Sequence, residues 1–270
     1  MKKRIIILIK GVLFVFLATS NFSQASLLEN IPLNSWVYPT VDELYVQGFF
    51  PELHKNVKPY QRWEIASFLI QIDEKIKNKE LIPTEAQGWL LAKLGDEFSL
   101  EMKTLREEKG EKVVKCGLYP YLYLTQNRID TSWSRGKLEL DFAFQFKNRL
   151  LLKDKILLDT KAEKDPNIYG REWKKDLTGI FDQGYMKIDF KYFNLLFGRD
   201  YLRWGPGQND FLLVSGLAPP FDMLKLGGEI GKFKFLFFAT ILDEKTISDT
   251  LYKRYLSGHR INFKPKPYLE

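Results

Sequence analysis

The sequence predicts a mainly β protein with an α-helical N-terminal region, in which an antiparallel transmembrane β-barrel follows a small helical domain. One change of pattern, the length of the alternating segments and one targeting signal predict this class. Apolar residues recur at spacings of three and four before residue 110, and at a spacing of two after residue 113. The alternating segments are long, and the chain opens with a segment typical of exported proteins.

Residues 1–25 have the composition of a secretory signal peptide. Basic residues precede an apolar run, and small residues suited to cleavage follow it: Lys2, Lys3 and Arg4, then 5–17, then Ser23 and Ala25. The apolar run is shorter than the roughly 20 residues of a spanning helix, so we favour a cleaved signal over an uncleaved anchor. Removal of residues 1–25 lowers the formal charge from +7 to +3. The basic balance therefore comes partly from the targeting segment and does not indicate nucleic-acid binding.

Residues 26–110 are predicted to form a helical periplasmic region. Apolar residues at helical spacing indicate helices within 37–49, 59–76 and 83–105. Pro59 and Pro83-Thr84 are typical of helix starts, because proline is tolerated in the first turn and threonine caps it. The charged run Arg106–Lys112 is the predicted boundary.

Residues 113–270 are predicted to form the sheet. Phe142, Phe144 and Phe146 alternate with Ala143, Gln145 and Lys147, which gives a strand one apolar and one polar face. The candidate strands are 113–125, 138–147, 149–160, 186–190, 192–199, 223–230, 232–237 and 253–264. Turn-like residues between them are Asp130-Thr131-Ser132, Lys153-Asp154-Lys155 and Gly227-Gly228.

Two architectures have such alternation. In a soluble sandwich the apolar face points inward, whereas in an outer-membrane barrel it faces lipid. Strands of roughly 10 to 14 residues favour the barrel. Tyrosine and tryptophan near segment ends favour it as well, because they would form an interfacial girdle: Tyr119, Tyr121, Tyr123, Trp133, Tyr185, Tyr192, Tyr201 and Trp204.

The segment Gly198–Asp210 is the strongest candidate for a binding site. Glycine and proline shape a structured loop after a predicted strand, and such loops often bind ligands. Its candidate glycan ligands are Arg199, Asp200, Tyr201, Arg203, Trp204, Asn209 and Asp210. Arginine offers planar donors and the aromatic rings offer stacking faces, which suits sugar rings and their acids. The alternative is a loop folded on itself, with Arg199 paired to Asp200 or Asp210.

His259 and Arg260 form a second, weaker candidate on a later strand. Two histidines and one cysteine offer no metal cluster and no cysteine–histidine pair. No opposed carboxylates and no phosphate-binding glycine loop stand out. We therefore predict no enzyme activity, no metal site and no cofactor.

These motifs resemble the capsule-assembly Wzi family of outer-membrane proteins. The matching elements, in order, are Gly198-Arg199, Arg203–Gly207, Leu212–Ser215, Ala218–Phe221 and Ser257–Arg260. Residues 36–66 also look like the helical segment that precedes such barrels, and more weakly like S-layer-homology repeats, which bind cell-wall polymer. The resemblance implies an outer-membrane location and a non-enzymatic, lectin-like role: holding capsular polysaccharide or exopolysaccharide at the cell surface.

One departure concerns the C-terminus. A family barrel continues past the His259-Arg260 strand, and bacterial barrels usually end on a terminal aromatic, which Glu270 is not. We expect an incomplete chain. The main alternative function is a diffusion porin, in which the 198–210 loop forms an arginine-lined constriction. A periplasmic enzyme on a soluble sandwich is the third hypothesis, and the sequence offers no catalytic set for it.

Overall fold

A computed structural model describes residues 26–107, 112–126, 132–160, 171–174, 177–190, 192–205, 214–216, 218–266 and 269. The predicted signal peptide, residues 1–25, lies outside the described residues. The chain forms a helical region followed by one large antiparallel sheet. The predicted change of period near residue 110 matches this division, since the last helix ends at Arg106 and the first long strand begins at Lys112.

The helical region contains four helices: α1 (Val37–Val46), α2 (Arg62–Lys77), α3 (Glu85–Glu97) and α4 (Ser99–Arg106). All three predicted helical segments are confirmed, and the third divides in two at Phe98. Thr84 caps α3 in a reciprocal box with Gln87, as its position before the apolar run indicates. The helices share a buried apolar core that includes Val41, Leu69 and Phe98.

The sheet is built from long strands: β2 (Lys112–Gln126), β3 (Ser132–Phe146), β4 (Leu150–Asp159), β6 (Leu177–Asp189), β7 (Phe193–Asp200), β9 (Phe221–Ile230), β10 (Phe233–Ile247) and β11 (Thr250–Phe263). They lie side by side in chain order, and the short β5 (Arg171–Lys174) pairs with β6. Among the described residues β2 and β11 end the strand order and do not pair with each other, so the sheet is open.

A separate two-stranded ribbon joins the two regions. β1 (Val57–Lys58) comes from the helical region and β8 (Arg203–Trp204) from the connection after β7. The two strands pair antiparallel, with Val57 opposite Trp204 and Lys58 opposite Arg203. Sequence periodicity gives no signal for strands of two residues, and neither was predicted.

The connections at the two ends of the sheet differ in length. At one end, called the short-turn end, residues 147–149, 190–192 and 231–232 join neighbouring strands. At the opposite, long-loop end, the chain between β4 and β6, which includes β5, and residues 201–220 after β7 make much longer connections, whereas residues 248–249 join β10 to β11 by a short turn. This asymmetry is typical of outer-membrane barrels.

The two faces of the sheet have opposite character. Large apolar side chains on the outer face are exposed: Phe142, Phe146, Leu152, Met186, Phe197, Leu224, Phe233 and Ile261. Many polar side chains on the inner face are buried: Gln145, Lys153, Gln183, Lys187, Asp200, Lys225, Thr240 and Asn262. The helical region covers the inner face in its short-turn half, where Lys234 Nζ lies 2.7 Å from Glu64 Oε1 and Lys264 Nζ donates to the Leu53 carbonyl at 2.7 Å.

Two predicted turns are wrong, and so are two predicted girdle residues, Tyr185 and Trp204, which are both buried. Lys153-Asp154-Lys155 lies inside β4, and Gly227-Gly228 lies inside β9. The second glycine permits a close approach, since a Cβ on Gly228 would sit 2.3 Å from Cζ of Phe235. Tyr185 lies within β6 and is buried on the inner face rather than at an interface.

Candidate functional site

Residues 26–31, called the N-terminal segment, lie against the inner face of the sheet. The Leu28 backbone N–H donates to Gln145 Oε1 at 3.1 Å. The ammonium of Lys187 donates to the Leu28 carbonyl at 3.1 Å. Because both sheet side chains are buried, these bonds satisfy polar groups that water does not reach.

Asn30 fixes this segment to two strands at once. Its Nδ2 donates to Asp200 Oδ2 at 2.7 Å, and its Oδ1 accepts from Lys187 Nζ at 3.0 Å. Gln183 Nε2 donates to the second Asp200 oxygen at 2.7 Å, and the Tyr185 hydroxyl accepts from the Asn30 backbone at 3.3 Å. Asp200 is therefore the acceptor at the centre of a buried network.

Lys153 makes a further buried connection to the N-terminal segment. Its ammonium bonds to Glu29 of that segment and to Asp141 on β3. Two carboxylates around one buried ammonium supply the charge partners that its burial requires. This explains why Lys153 lies inside a strand despite its turn-like neighbours.

Arg199 and Asp200 are consecutive and face opposite sides of the sheet. Arg199 lies on the outer face and binds Asp222 of β9 through two nitrogens, with Nε at 2.7 Å from Oδ1. The alternative pairing of Arg199 with Asp200 does not form, because alternation along β7 places the two side chains on opposite faces.

Arg203 and Trp204 lie in the ribbon between the two regions. Trp204 is 3% exposed and packs edge-on against Phe238, with ring centroids 5.1 Å apart. The Arg203 guanidinium lies 5.1 Å from the Tyr38 ring centroid. Beside it, burial lowers the pKa of Lys58, and the ion pair with Asp42 at 2.8 Å opposes that shift.

Tyr201 borders a cavity of about 380 Å³ in the long-loop half of the inner face, which we call the long-loop cavity. Its hydroxyl donates to Asp182 Oδ1 at 2.6 Å. Lys155 Nζ lies 3.0 Å from Glu139 Oε1 and 3.5 Å from Asp182 Oδ2. The cavity walls come from β3, β4, β6, the connection after β7 and the chain just beyond the N-terminal segment: Asn34, Lys137, Glu139, Lys155, Asp182, Tyr201 and Ala218.

The described residues hold no group of three or more His, Cys, Asp and Glu side chains arranged to bind a metal ion. Over the same residues, no helix has the length and apolar character to cross a membrane.

A protein-family model described as Capsule assembly protein Wzi matches residues 121–270, more than half of the chain. The chain belongs to the Wzi capsule assembly family. Comparisons with curated proteins and with solved structures give no match.

The Wzi match begins inside β2 and covers the rest of the sheet. It includes the 198–221 motifs that carry the resemblance and most of the walls of the long-loop cavity. The helical region and the N-terminal segment lie outside the matched residues.

The residues predicted as one site do not converge within the part that the structure describes. Asp200 lies in the inner-face network, Tyr201 borders the cavity, and Arg203 and Trp204 form the ribbon. His259 lies on the outer face with its ring centroid 4.9 Å from that of Phe237, whereas Arg260 Nε donates to Asn262 Oδ1 at 2.6 Å. Asn209 and Asp210 lie outside the described residues.

Sequence reasoning missed the polar side chains of the long-loop cavity. Lys137 and Glu139 occupy alternate positions of β3, and Lys155 occupies the matching face of β4. A signal was present, because these residues are the polar half of the alternation that predicts the strands.

Proposed function

We propose that this chain forms part of an outer-membrane β-barrel that holds exported capsular polysaccharide or exopolysaccharide at the cell surface, without catalysis. In this proposal residues 1–25 direct export, 26–110 form the periplasmic region and 113–270 belong to the barrel. Outer-membrane lipid contacts the outer face. Binding of cell-wall polymer by the helical region stays a prediction from its sequence.

The observation that carries the membrane assignment is the reversed polarity of the sheet. In a water-soluble sheet with one covered face, the covered face is apolar and the solvated face is polar. Here the helical region covers a face that carries many buried polar side chains around one apolar cluster, and the face with the large exposed apolar side chains is left uncovered. Burial of that apolar face in lipid would remove the conflict, and strands of 10 to 15 residues such as β4 and β10 are long enough to span a bilayer.

The lengths of the connections support an orientation. Bacterial barrels place short turns in the periplasm and longer loops outside the cell. On that basis the helical region, which packs at the short-turn end, lies on the periplasmic side. The long-loop cavity then opens toward the cell surface, where exported polysaccharide is held.

Membership of the capsule assembly family supports polysaccharide as the partner. The polar cavity beside Tyr201 offers hydroxyl, carboxylate and ammonium groups together with an aromatic ring. Sugars carry hydroxyls around an apolar ring, so such a mixture suits them.

The diffusion porin is the competing function. The helical region and the N-terminal segment cover the inner face over several strands, which supports an obstructed lumen. Planar bilayers containing the purified protein should therefore conduct weakly. Steady conductance of the porin type would favour the alternative.

The direct test is polysaccharide retention by whole cells. Cells that lack the gene should shed surface polysaccharide into the medium, and cells with the gene restored should keep it. Carbonate-washed outer membranes should contain the mature protein. Equal retention with and without the gene, or recovery of the protein in the soluble periplasmic fraction, would refute the proposal.

A further inference from the structure

The long-loop cavity carries a more specific inference than the general binding of polysaccharide. It is a concave space of about 380 Å³, which falls within the range of roughly 300–1,000 Å³ typical of small-ligand sites. Rigid strands supply one side of it and the connection after β7 supplies the other. Ligand groups on strands are held more firmly than groups on loops alone.

The fixed charges of this cavity are balanced. Lys155 lies between Glu139 and Asp182, so its ammonium is shared by two carboxylates. Lys137 supplies the second cation of the walls, and it lies opposite Asp159 in the register of β3 and β4. The lining therefore has no surplus of positive charge.

The remaining lining is mixed in a way that suits a sugar ring. Leu157 and Ile180 give apolar surface on neighbouring strands, and Tyr201 adds an aromatic residue to the lining. The Tyr201 hydroxyl is held by Asp182, so its position is set before a ligand arrives. Asn34 adds an amide with both donor and acceptor groups.

We propose that the long-loop cavity binds an uncharged saccharide unit of the retained polysaccharide. This inference rests on the proposed function and names the ligand class of its site. An acidic unit would bring a carboxylate toward Glu139 and Asp182, whose cation is already engaged. A neutral sugar exchanges hydroxyl hydrogen bonds with these groups and buries no unpaired charge.

The first experiment measures binding of the full chain in detergent to immobilised oligosaccharides. The array holds uncharged hexose and N-acetylhexosamine oligosaccharides, each beside a counterpart in which one unit is a uronic acid. Ala218→Trp should fill the cavity and weaken binding of neutral probes tenfold or more. Ala239→Trp makes the same change on the outer face of β10 and should leave that binding unchanged.

The second experiment tests the charge argument directly. Glu139→Gln removes one carboxylate and leaves the walls with one surplus positive charge. The ratio of uronate binding to neutral binding should then rise at least tenfold over the wild-type ratio. Gel mobility before and after heating verifies that each variant is folded.

The outcomes separate this inference from the proposed function. Stronger binding of uronate probes by the wild type, no binding of any neutral probe, or neutral binding that survives Ala218→Trp would each overturn the inference. Polysaccharide retention by whole cells would still support the proposed function in those cases. Loss of retention in cells carrying Ala218→Trp, but not Ala239→Trp, is the result expected if both hold.

Discussion

Arg199 and Asp200 illustrate how far the strand geometry separates neighbours that look like one motif. Arg199 binds Asp222 on the outer face, while Asp200 accepts hydrogen bonds from Asn30 and Gln183 on the inner face. If both residues belonged to one loop, they could bind the same ligand, as the sequence predicted. In the strand, one braces β7 to β9 and the other holds the N-terminal segment.

The Asp200 network predicts a loss of stability when its acceptor is removed. Asp200→Ala leaves the amides of Asn30 and Gln183 without their buried acceptor, which should cost about 2–3 kcal/mol of unfolding free energy. Heat-modifiability gels of the purified protein would record this as a lower unfolding temperature.

Asp222→Ala provides the matched control for this change. Its carboxylate is also bound in an ion pair, but it is the second residue of β9, at the long-loop edge of the sheet rather than at its middle, so we expect the loss typical of a water-exposed pair, below about 1 kcal/mol. Equal unfolding temperatures for Asp200→Ala and the wild type would contradict the tethering role.

Single residues also show where sequence reasoning stops. The pair Lys153 and Lys155 with Asp154 looks like a turn because three charged residues in a row seldom occupy a strand. The partners that permit it, Glu29 and Asp141, lie 124 and 12 positions away. Local pattern carries no information about a partner at such a distance, so the three residues were predicted as turn-like although they fall within the candidate strand 149–160.

At the scale of elements, most strands and helices could be predicted from period alone. The helical spacing located α1, α2 and the α3–α4 pair, and the alternation located the long strands. The period of the apolar residues does not predict which face of the sheet the helical region covers. That depends on the helical region and its N-terminal segment. Their docking combines specific hydrogen bonds with an apolar cluster on the inner face that includes Leu28, Trp204 and Phe238.

The ribbon of β1 and β8 is the element that most directly joins the two regions. Trp204→Ala should lower the unfolding free energy by about 3–5 kcal/mol, because it removes a buried ring from its packing against Phe238. Limited proteolysis should then release the helical region from the sheet sooner than in the wild type.

Trp89→Ala is the control for the ribbon. The Trp89 ring is 63% exposed on α3 and lies beside Lys93, so its loss should cost less than about 1 kcal/mol. If the Trp204→Ala and Trp89→Ala variants have the same unfolding temperature and the same resistance to protease, the ribbon does not hold the two regions together. A glycan assay on Trp204 variants is informative only after this measurement.

At the scale of the whole molecule, the exposed apolar face gives the clearest test of environment. Phe197 is 63% exposed on the outer face of β7. Phe197→Lys should cost about 2–4 kcal/mol if that face lies in the bilayer midplane, and almost nothing if it lies in water. The yield of heat-modifiable protein in the outer-membrane fraction would measure the difference.

Val46→Lys makes a comparable change on the helical region, where the side chain is 79% exposed. We expect normal yield for that variant, because a surface that lies in water accepts a charge readily. Normal yield for both variants would place the outer face of the sheet in water and would remove the main support for the barrel.

The docking of the N-terminal segment has a consequence for the order of assembly. Asn30 and Asp200 are 170 positions apart, and Leu28 bonds to residues 117 and 159 positions away. Contacts of such long range form slowly, because closing a very large loop costs entropy before any hydrogen bond compensates for it. Residues 26–31 must therefore wait for strands that are synthesised much later, and the sheet takes its final shape around a segment that left the ribosome before it.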